Sequence, residues 1–463
     1  MAREQAEPGG ELSFPAGFRW GVAAAAYQIE GAAAEGGRGP SIWDTFSHTP
    51  GKVLGGHTGD VATDHYHRFA EDVDLMAEMG VDAYRFSISW SRILPTGLGA
   101  VNSAGLDFYR GLCTKLRDAG ITPVATLYHW DLPQALQDVG GWLDVRSSDW
   151  FAEYVRVAKE ELGDLVRVWS TLNEPWCAAF LGHSDGVHAP GYTDPGTGYV
   201  AAHHMMLAHH QAMAVLRQTN IHDDDELGIV LNLIPAWPAS DDPADVAVAA
   251  TADAIQNRLF ADAVFTGTYP DEICELHLRF GVADVIDMGR LAEVHQDIDY
   301  LGVNYYNINR FSYEADAPVL GAWPGADGAV LAVAPGPLTE MGWGVEPPGL
   351  TWMLERVAAE YPPVPISICE NGAAYPDVVS PDGSVIDRDR IAYLEGHIAA
   401  TAEAIAAGVD VRGYFVWSVL DNFEWGLGFT RRFGIVRVDY DTLQRTVKAS
   451  GRWYRDFIAS QRS

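Results

Sequence analysis

Hydrophobic and polar positions along the chain alternate between two rhythms. Runs rich in β-branched, aromatic and other apolar residues recur at 18–29, 81–90, 121–130, 166–175, 227–235, 298–307, 364–370 and 411–420. Between them apolar residues step by three and four, the spacing that lines one face of a helix. Tyr66, Phe69, Val73 and Met76 do so after Asp64, a residue suited to a helix N-cap, and Tyr109, Leu112, Cys113 and Leu116 do so after Ser103. Later helices are predicted over 147–162, 200–217, 243–265, 349–360, 387–407 and 450–460. Several of the extended runs are apolar almost throughout, the pattern of strands covered on both faces. Eight such strands alternating with helices predict a parallel (β/α)8 barrel. A doubly wound sheet is the competing arrangement, but no strand here leads into a G-x-G-x-x-G turn. Gly36, Gly37 and Gly39 follow polar residues and precede Pro40. The expected organisation is a flexible tail over 1–12 and one barrel domain over 13–463, a size that barrels with insertions reach.

The run over 166–176 ends abruptly in Asn173-Glu174-Pro175. Proline disfavours helical backbone in the residue before it, so Glu174 is expected to be extended at the mouth of its strand. One glutamate there reads as a solvated loop charge. A second, Glu370, closes the apolar seventh run just before the turn signal Asn371-Gly372, and the two face each other across a closed barrel. The same strand ends carry Gln28, Arg85, His129, Trp130, Asn304, Tyr306 and Trp417. Singly each has a plain structural reading: Arg85 as a buried ion-pair partner, His129 as a satisfied core histidine. Convergence on one face favours function. Long segments over 31–63, 177–197 and 310–341 also follow their strands on the C-terminal side, where barrels place active sites.

Composition narrows the classes. The chain of 463 residues is 48% hydrophobic with mean hydropathy -0.05, as expected of a globular protein with an ample core. Its formal net charge of -32 excludes phosphate-backbone binding and disfavours anionic substrates without a local basic pocket. No run reaches the roughly 18 apolar residues of a membrane span, and residues 1–10 show no apolar signal core, so the expected location is cytoplasmic. Cys113, Cys177, Cys274 and Cys369 are scattered, which fits reduced thiols. His203, His204, His209 and His210 lack the i, i+4 spacing of a helical metal pair, and neither metal nor cofactor is expected. The 15 tryptophans are a high count; core packing can absorb some of them, and surplus indoles also suit stacking on sugar C–H faces.

The chain resembles the family 1 glycoside hydrolases, the retaining β-glucosidase family, from Phe14 to Phe457. The likeness is carried by Phe18-Arg-Trp-Gly21, Gln28-Ile-Glu-Gly31, Gly37-Arg-Gly-Pro-Ser-Ile-Trp-Asp44, Tyr84-Arg-Phe-Ser-Ile-Ser-Trp90, Tyr128-His-Trp-Asp-Leu-Pro-Gln134, Thr171-Leu-Asn-Glu-Pro175, Asn304-Tyr-Tyr306, Glu370-Asn-Gly372 and Trp417-Ser-Val-Leu-Asp-Asn-Phe-Glu-Trp425. The resemblance implies Glu174 as general acid/base and Glu370 as nucleophile, with Arg85 and Tyr306 holding the nucleophile charged. It implies a sugar pocket formed by Gln28, His129, Trp130, Asn173, Asn304, Glu424 and Trp425, floored by Trp417 beside a cis Trp417–Ser418 peptide. Trp343 matches an aromatic platform for the leaving group. Phospho-glycosidases of the family use serine where Glu424 stands, with basic and phenolic partners where this chain has Gly428 and Thr430. Free β-glycosides, cellobiose-like disaccharides or aryl and alkyl glucosides, are therefore the expected substrates. Cys369 departs from the usual Thr or Ser before the nucleophile and is expected to be a packing substitution.

The implied reaction is exo-hydrolysis of terminal β-D-glucosyl residues through a covalent intermediate. Alternatives are a β-galactosidase, a β-fucosidase or a transglycosidase of the same family. Outside that chemistry stand an inactive sugar-binding barrel, which retention of both glutamates disfavours, and an endo-acting hydrolase, which the long 310–341 segment disfavours by closing the pocket.

Overall fold

The structure, a computed structural model, describes residues 12–219 and 221–462. The expected N-terminal tail, apart from Leu12, lies outside the described residues. Eight parallel strands close into a barrel: β1 (Arg19–Ala23), β2 (Ala83–Ser87), β3 (Thr122–Tyr128), β4 (Val168–Asn173), β5 (Glu226–Asn232), β6 (Tyr300–Asn304), β7 (Ile366–Asn371) and β8 (Val411–Trp417). Each pairs with its sequence neighbours, and β1 pairs with β8 to complete the ring. Helices His65–Glu78, Ser103–Asp118, Ser147–Leu162, Pro195–Gln218, Pro347–Glu360, Arg388–Ala406 and Ala449–Ser460 match the predicted amphipathic segments to within a turn or so. The segment predicted over 243–265 is helical from Pro243 to Thr266 but passes through a wide π turn at Ala254–Arg258.

The differences lie mostly at strand ends. The first run was expected to stay extended to residue 29, yet β1 stops at Ala23 and Ala26–Ile29 forms a helical turn that carries Gln28. Apolar alternation continues there, but the alanines favour helix, and the Ala26 amide donates to the Ser87 hydroxyl of β2 instead of to a strand carbonyl. Asp64 does occupy the N-cap position of its helix but makes no capping bond; its carboxylate pairs with His67 and Arg68. The 310–341 segment is not irregular throughout. Strands Asn309–Tyr313 and Ala329–Leu331 join Ala236–Pro238 in a small separate sheet.

Two register shifts bear on function. β4 slips against β5 between Ser170 and Asn173, and β7 slips against β6 between Ile368 and Glu370. A bulge kinks and twists its strand, and it re-aims the side chains beyond it. Both bulges lie immediately before the two glutamates.

Behind β8 sits a buried ion network. Lys448 Nζ lies 2.5 Å from Asp377 Oδ2 and 2.7 Å from Asp421 Oδ1, and Arg432 donates to Asp421 Oδ2 at 2.6 Å. Arg390 pairs with Asp387 and Asp377. Asp421 begins the loop that leads to Glu424, so this network anchors one wall of the barrel mouth. Removing one member of a buried pair strands the other's charge, which typically costs about 3–5 kcal/mol. Lys448→Met is accordingly expected to lose about 3–5 kcal/mol in urea unfolding at 25 °C. An unchanged urea midpoint would mean that the carboxylates are satisfied without the ammonium.

Candidate active site

The C-terminal mouth of the barrel holds a cavity of about 190 Å³. Of the residues expected at the site, His129, Trp130, Glu174, Tyr306, Trp343, Glu370, Trp417, Glu424 and Trp425 line it directly. Arg85, Asn173 and Asn304 stand behind that wall and bond to it. Gln28 is buried further back, where its Nε2 donates to Phe423 O at 2.9 Å and to Asn422 Oδ1 at 3.2 Å while its Oε1 has no protein partner.

Glu174 is not extended as expected; its φ is 44°. The Pro175 ring bars the right-handed helical region, and the backbone must also turn at once into the helical segment that Pro175 opens. A single left-handed residue meets both demands. Glu174 N donates to Val230 O on β5, and Glu174 O accepts from Cys177 N, so the turn is held on both sides. Trp130 (φ 76°) and Trp425 (φ 46°) are left-handed as well, and both line the same cavity. Three strained residues around one cavity are typical of a functional site, where surrounding structure over-determines an unfavourable conformation. The Trp417–Ser418 peptide is cis, as the resemblance implied.

The two glutamates have different company. Glu370 accepts from Arg85 Nη1 and from the Tyr306 hydroxyl, each at 2.7 Å. Glu174 accepts from Asn304 Nδ2 at 2.7 Å and from the Cys177 thiol at 3.0 Å, with no cation in contact. Both glutamates line the same cavity, close enough for the charge of Glu370 to act on Glu174. Burial, then the charge of Glu370, pushes Glu174 up to about 7. Burial raises Glu370 too, but Arg85 and the Tyr306 hydroxyl pull it back. A proton shared by the pair therefore resides on Glu174.

Asn173 organises the polar layer beneath. Its Oδ1 accepts from Arg85 Nη2 at 2.6 Å and from Asn304 at 3.1 Å, which fixes the amide's orientation and presents Nδ2 to His129 Nε2 at 3.1 Å. Burial, then Arg85, holds His129 well below its usual range, so the ring is neutral and accepts that bond. Glu424 has one oxygen without a partner, and burial followed by the charges of Glu370 and Glu174 lifts it to about 8. Among the described residues no lysine or arginine lines the cavity. At Gly428 a Cβ would lie 2.4 Å from His57 Nδ1, at a φ of 57°, so a longer side chain has no room there.

The chain matches the family described as Glycosyl hydrolase family 1 over residues 11–463. It belongs to that family. It is 47% identical to beta-glucosidase A of Thermotoga maritima over 446 residues, 96% of this chain and 97% of the relative. It is 44% identical to a bifunctional beta-D-glucosidase/beta-D-fucosidase of Bifidobacterium breve, over 97% of this chain and 98% of the relative. The solved structure of the Thermotoga maritima beta-glucosidase in complex with glucoimidazole superposes with a TM-score of 0.92 at 46% identity, covering 97% of this chain and all of that one.

Other cavity residues of this family 1 chain went unread from sequence. Cys177 and Trp176 follow Glu174 directly, and Asn232 ends β5, a polar close to an apolar strand that could have been noticed. His188, Met341 and Phe433 come from loops with no local signal. Burial pushes His188 down to about 3, leaving it neutral. Cys369 is buried with Sγ packed against the place a Gly302 side chain would occupy, and burial raises its thiol to about 11, so it is an inert packing residue. His203, His204, His209 and His210 are buried and each bonds a hydroxyl or backbone group. Among the described residues no group of three or more His, Cys, Asp or Glu side chains is placed to hold a metal. No described helix is long and apolar enough to cross a membrane.

Proposed function

We propose that the protein works as a retaining exo-β-glucosidase through Glu174 and Glu370. The observation that carries the reading is the asymmetry of two carboxyls lining one cavity, one held by Arg85 and Tyr306 and the other buried without a cation in contact. In the first half-reaction the Glu370 carboxylate attacks the anomeric carbon while Glu174 gives its proton to the departing glycosidic oxygen, leaving a glycosyl ester on Glu370. Esterification removes the negative charge that holds the proton on Glu174, which then serves as base for the attacking water. The water's proton goes to Glu174, its oxygen to the sugar, and Glu370 leaves as carboxylate.

Glu424, His129, Trp425 and Gln28 read the sugar hydroxyls over the Trp417 floor, and Asn173 Nδ2 donates to the 2-hydroxyl. Trp343, whose ring centroid lies 5.4 Å from that of Tyr306, stacks on the leaving group. The substrates are uncharged β-glucosides such as cellobiose-like disaccharides and aryl glucosides, met in the cytoplasm, where four unpaired cysteines are at home. A second reading, fucosidase activity from the same pocket, is favoured by the bifunctional Bifidobacterium breve relative. Phosphorylated glucosides do not suit a cavity walled by three carboxyls and no cation, with position 428 closed to a basic side chain.

Rates on p-nitrophenyl β-glucoside, β-galactoside, β-fucoside and 6-phospho-β-glucoside test the assignment. The glucoside and fucoside are expected to be turned over well. The 6-phospho-glucoside is expected to fall at least ~100-fold lower in kcat/KM, because a phosphate buried in this cavity finds no cationic partner on its lining. A phospho-glucoside hydrolysed as fast as the glucoside would overturn the substrate class.

A further inference from the structure

The Cys177 thiol touches the proposed acid/base and nothing in the double displacement just described employs it. Glu174 Oε1 is occupied, accepting from Asn304 Nδ2 at 2.7 Å. A proton carried by Glu174 therefore sits on Oε2, and Oε2 is the oxygen that Cys177 Sγ faces at 3.0 Å. On its other side Sγ lies 3.6 Å from Asn232 Nδ2, a donor. With an amide hydrogen directed at the sulfur, the thiol hydrogen is left to point at Oε2. Cys177 is 6% exposed and lines the cavity, and burial, then the charge of Glu174, keeps its thiol protonated and so a donor.

We propose that Cys177 is a positioning residue for Glu174, whose S–H bond to Oε2 favours the carboxylate form that acts as base in the second half-reaction. A donor gains strength when its acceptor becomes ionised, so this contact selects between the two protonation states and not merely between rotamers. The inference rests on Glu174 being the acid/base. The other groups that face Glu174 are Glu370 from β7 and Glu424 from the loop after β8, which favour its neutral form, and Arg85 from β2 and Asn304 from β6, which favour its charged form. The Tyr306 hydroxyl also faces it. Arg85, Asn304 and Tyr306 act on Glu370 as well. Of the two glutamates Cys177 bonds Glu174 and not Glu370, so a change there should move one limb of a pH profile and leave the other in place.

The test is the pH dependence of kcat/KM on an aryl β-glucoside for Cys177→Ser and Cys177→Ala. A hydroxyl is the better donor, so Cys177→Ser should move the alkaline limb to lower pH, and Cys177→Ala, lacking the donor, should move it higher. Loss of a hydrogen bond to a charged group corresponds to about one pH unit, and a weak thiol donor to about half of that. The acid limb should stay fixed in both variants. Lower rates with both limbs unmoved, or both limbs moved together, would overturn the inference and leave Cys177 a packing residue. Glu174→Gln separates this from the underlying reading. If it abolishes the alkaline limb while the Cys177 variants do not move it, only the role of Cys177 falls; if Glu174→Gln keeps the limb, the acid/base assignment falls with it.

Discussion

Glu370→Gly is expected to lower kcat on aryl β-glucosides by about five to six orders of magnitude, the scale seen when a covalent nucleophile is removed. Azide should restore turnover by entering the space the side chain vacates. Because azide attacks from the nucleophile's face and no second displacement follows, the product should be the α-glucosyl azide, identifiable by NMR. The expectation follows from geometry more than from the presence of a carboxylate. Arg85 and Tyr306 each hold one oxygen of Glu370 at 2.7 Å, so the carboxylate is fixed and charged before substrate arrives. A 2-deoxy-2-fluoroglucoside with a good leaving group should likewise trap its ester on Glu370, as peptide mapping would show. An adduct mapped to Glu174, or normal turnover of Glu370→Gly without azide, would reverse or remove the assignment.

The barrel could be read from the chain because its strands are apolar on both faces and its helices on one, and both patterns are local. Where reading went wrong, the site was the cause. Ala24 to Ile29 continues an apolar run but turns helical to bring Gln28 behind the pocket, and Pro175 suggested an extended Glu174 when the bulge in β4 and the helical start after it require a left-handed one. Local preference loses to tertiary demand at such places. The two glutamates with Asn173, Asn304 and Tyr306 were legible because each stands at or just beyond the end of a strand whose order around the barrel follows the chain, whereas Arg85, in the middle of β2, was marked by the motif around it. Asn232 showed only as a polar close to an apolar strand and Cys177 not at all, since their contact arises only when the ends of β4 and β5 lie side by side. Nor does anything local mark Lys448, whose partners Asp377 and Asp421 are 71 and 27 residues away in sequence.

Glu174→Ala should separate the two half-reactions instead of abolishing both. With the acid gone, kcat/KM on cellobiose or an alkyl glucoside is expected to fall by about 10²–10⁴-fold, the contribution of a positioned general acid. On a 2,4-dinitrophenyl glucoside, whose aglycone leaves without a proton, formation of the glycosyl ester should proceed at nearly the original rate. Hydrolysis of that ester still needs a base for water, so a burst of dinitrophenolate followed by slow turnover is expected. Azide needs no base and should relieve the slow step, this time giving the β-glucosyl azide, because it displaces the sugar from Glu370 after the first inversion. The pH profile supplies an independent reading. In the native protein Glu174 must be protonated for the first step, and with its ionisation near 7, kcat/KM should be full below that pH and decline as pH rises through it. In Glu174→Ala the decline should vanish, while the loss of activity in acid, set by protonation of Glu370, should persist. An alkaline limb retained in the variant would assign that ionisation to another group, and Glu424, lifted to about 8 in the same cavity, would be the next to replace.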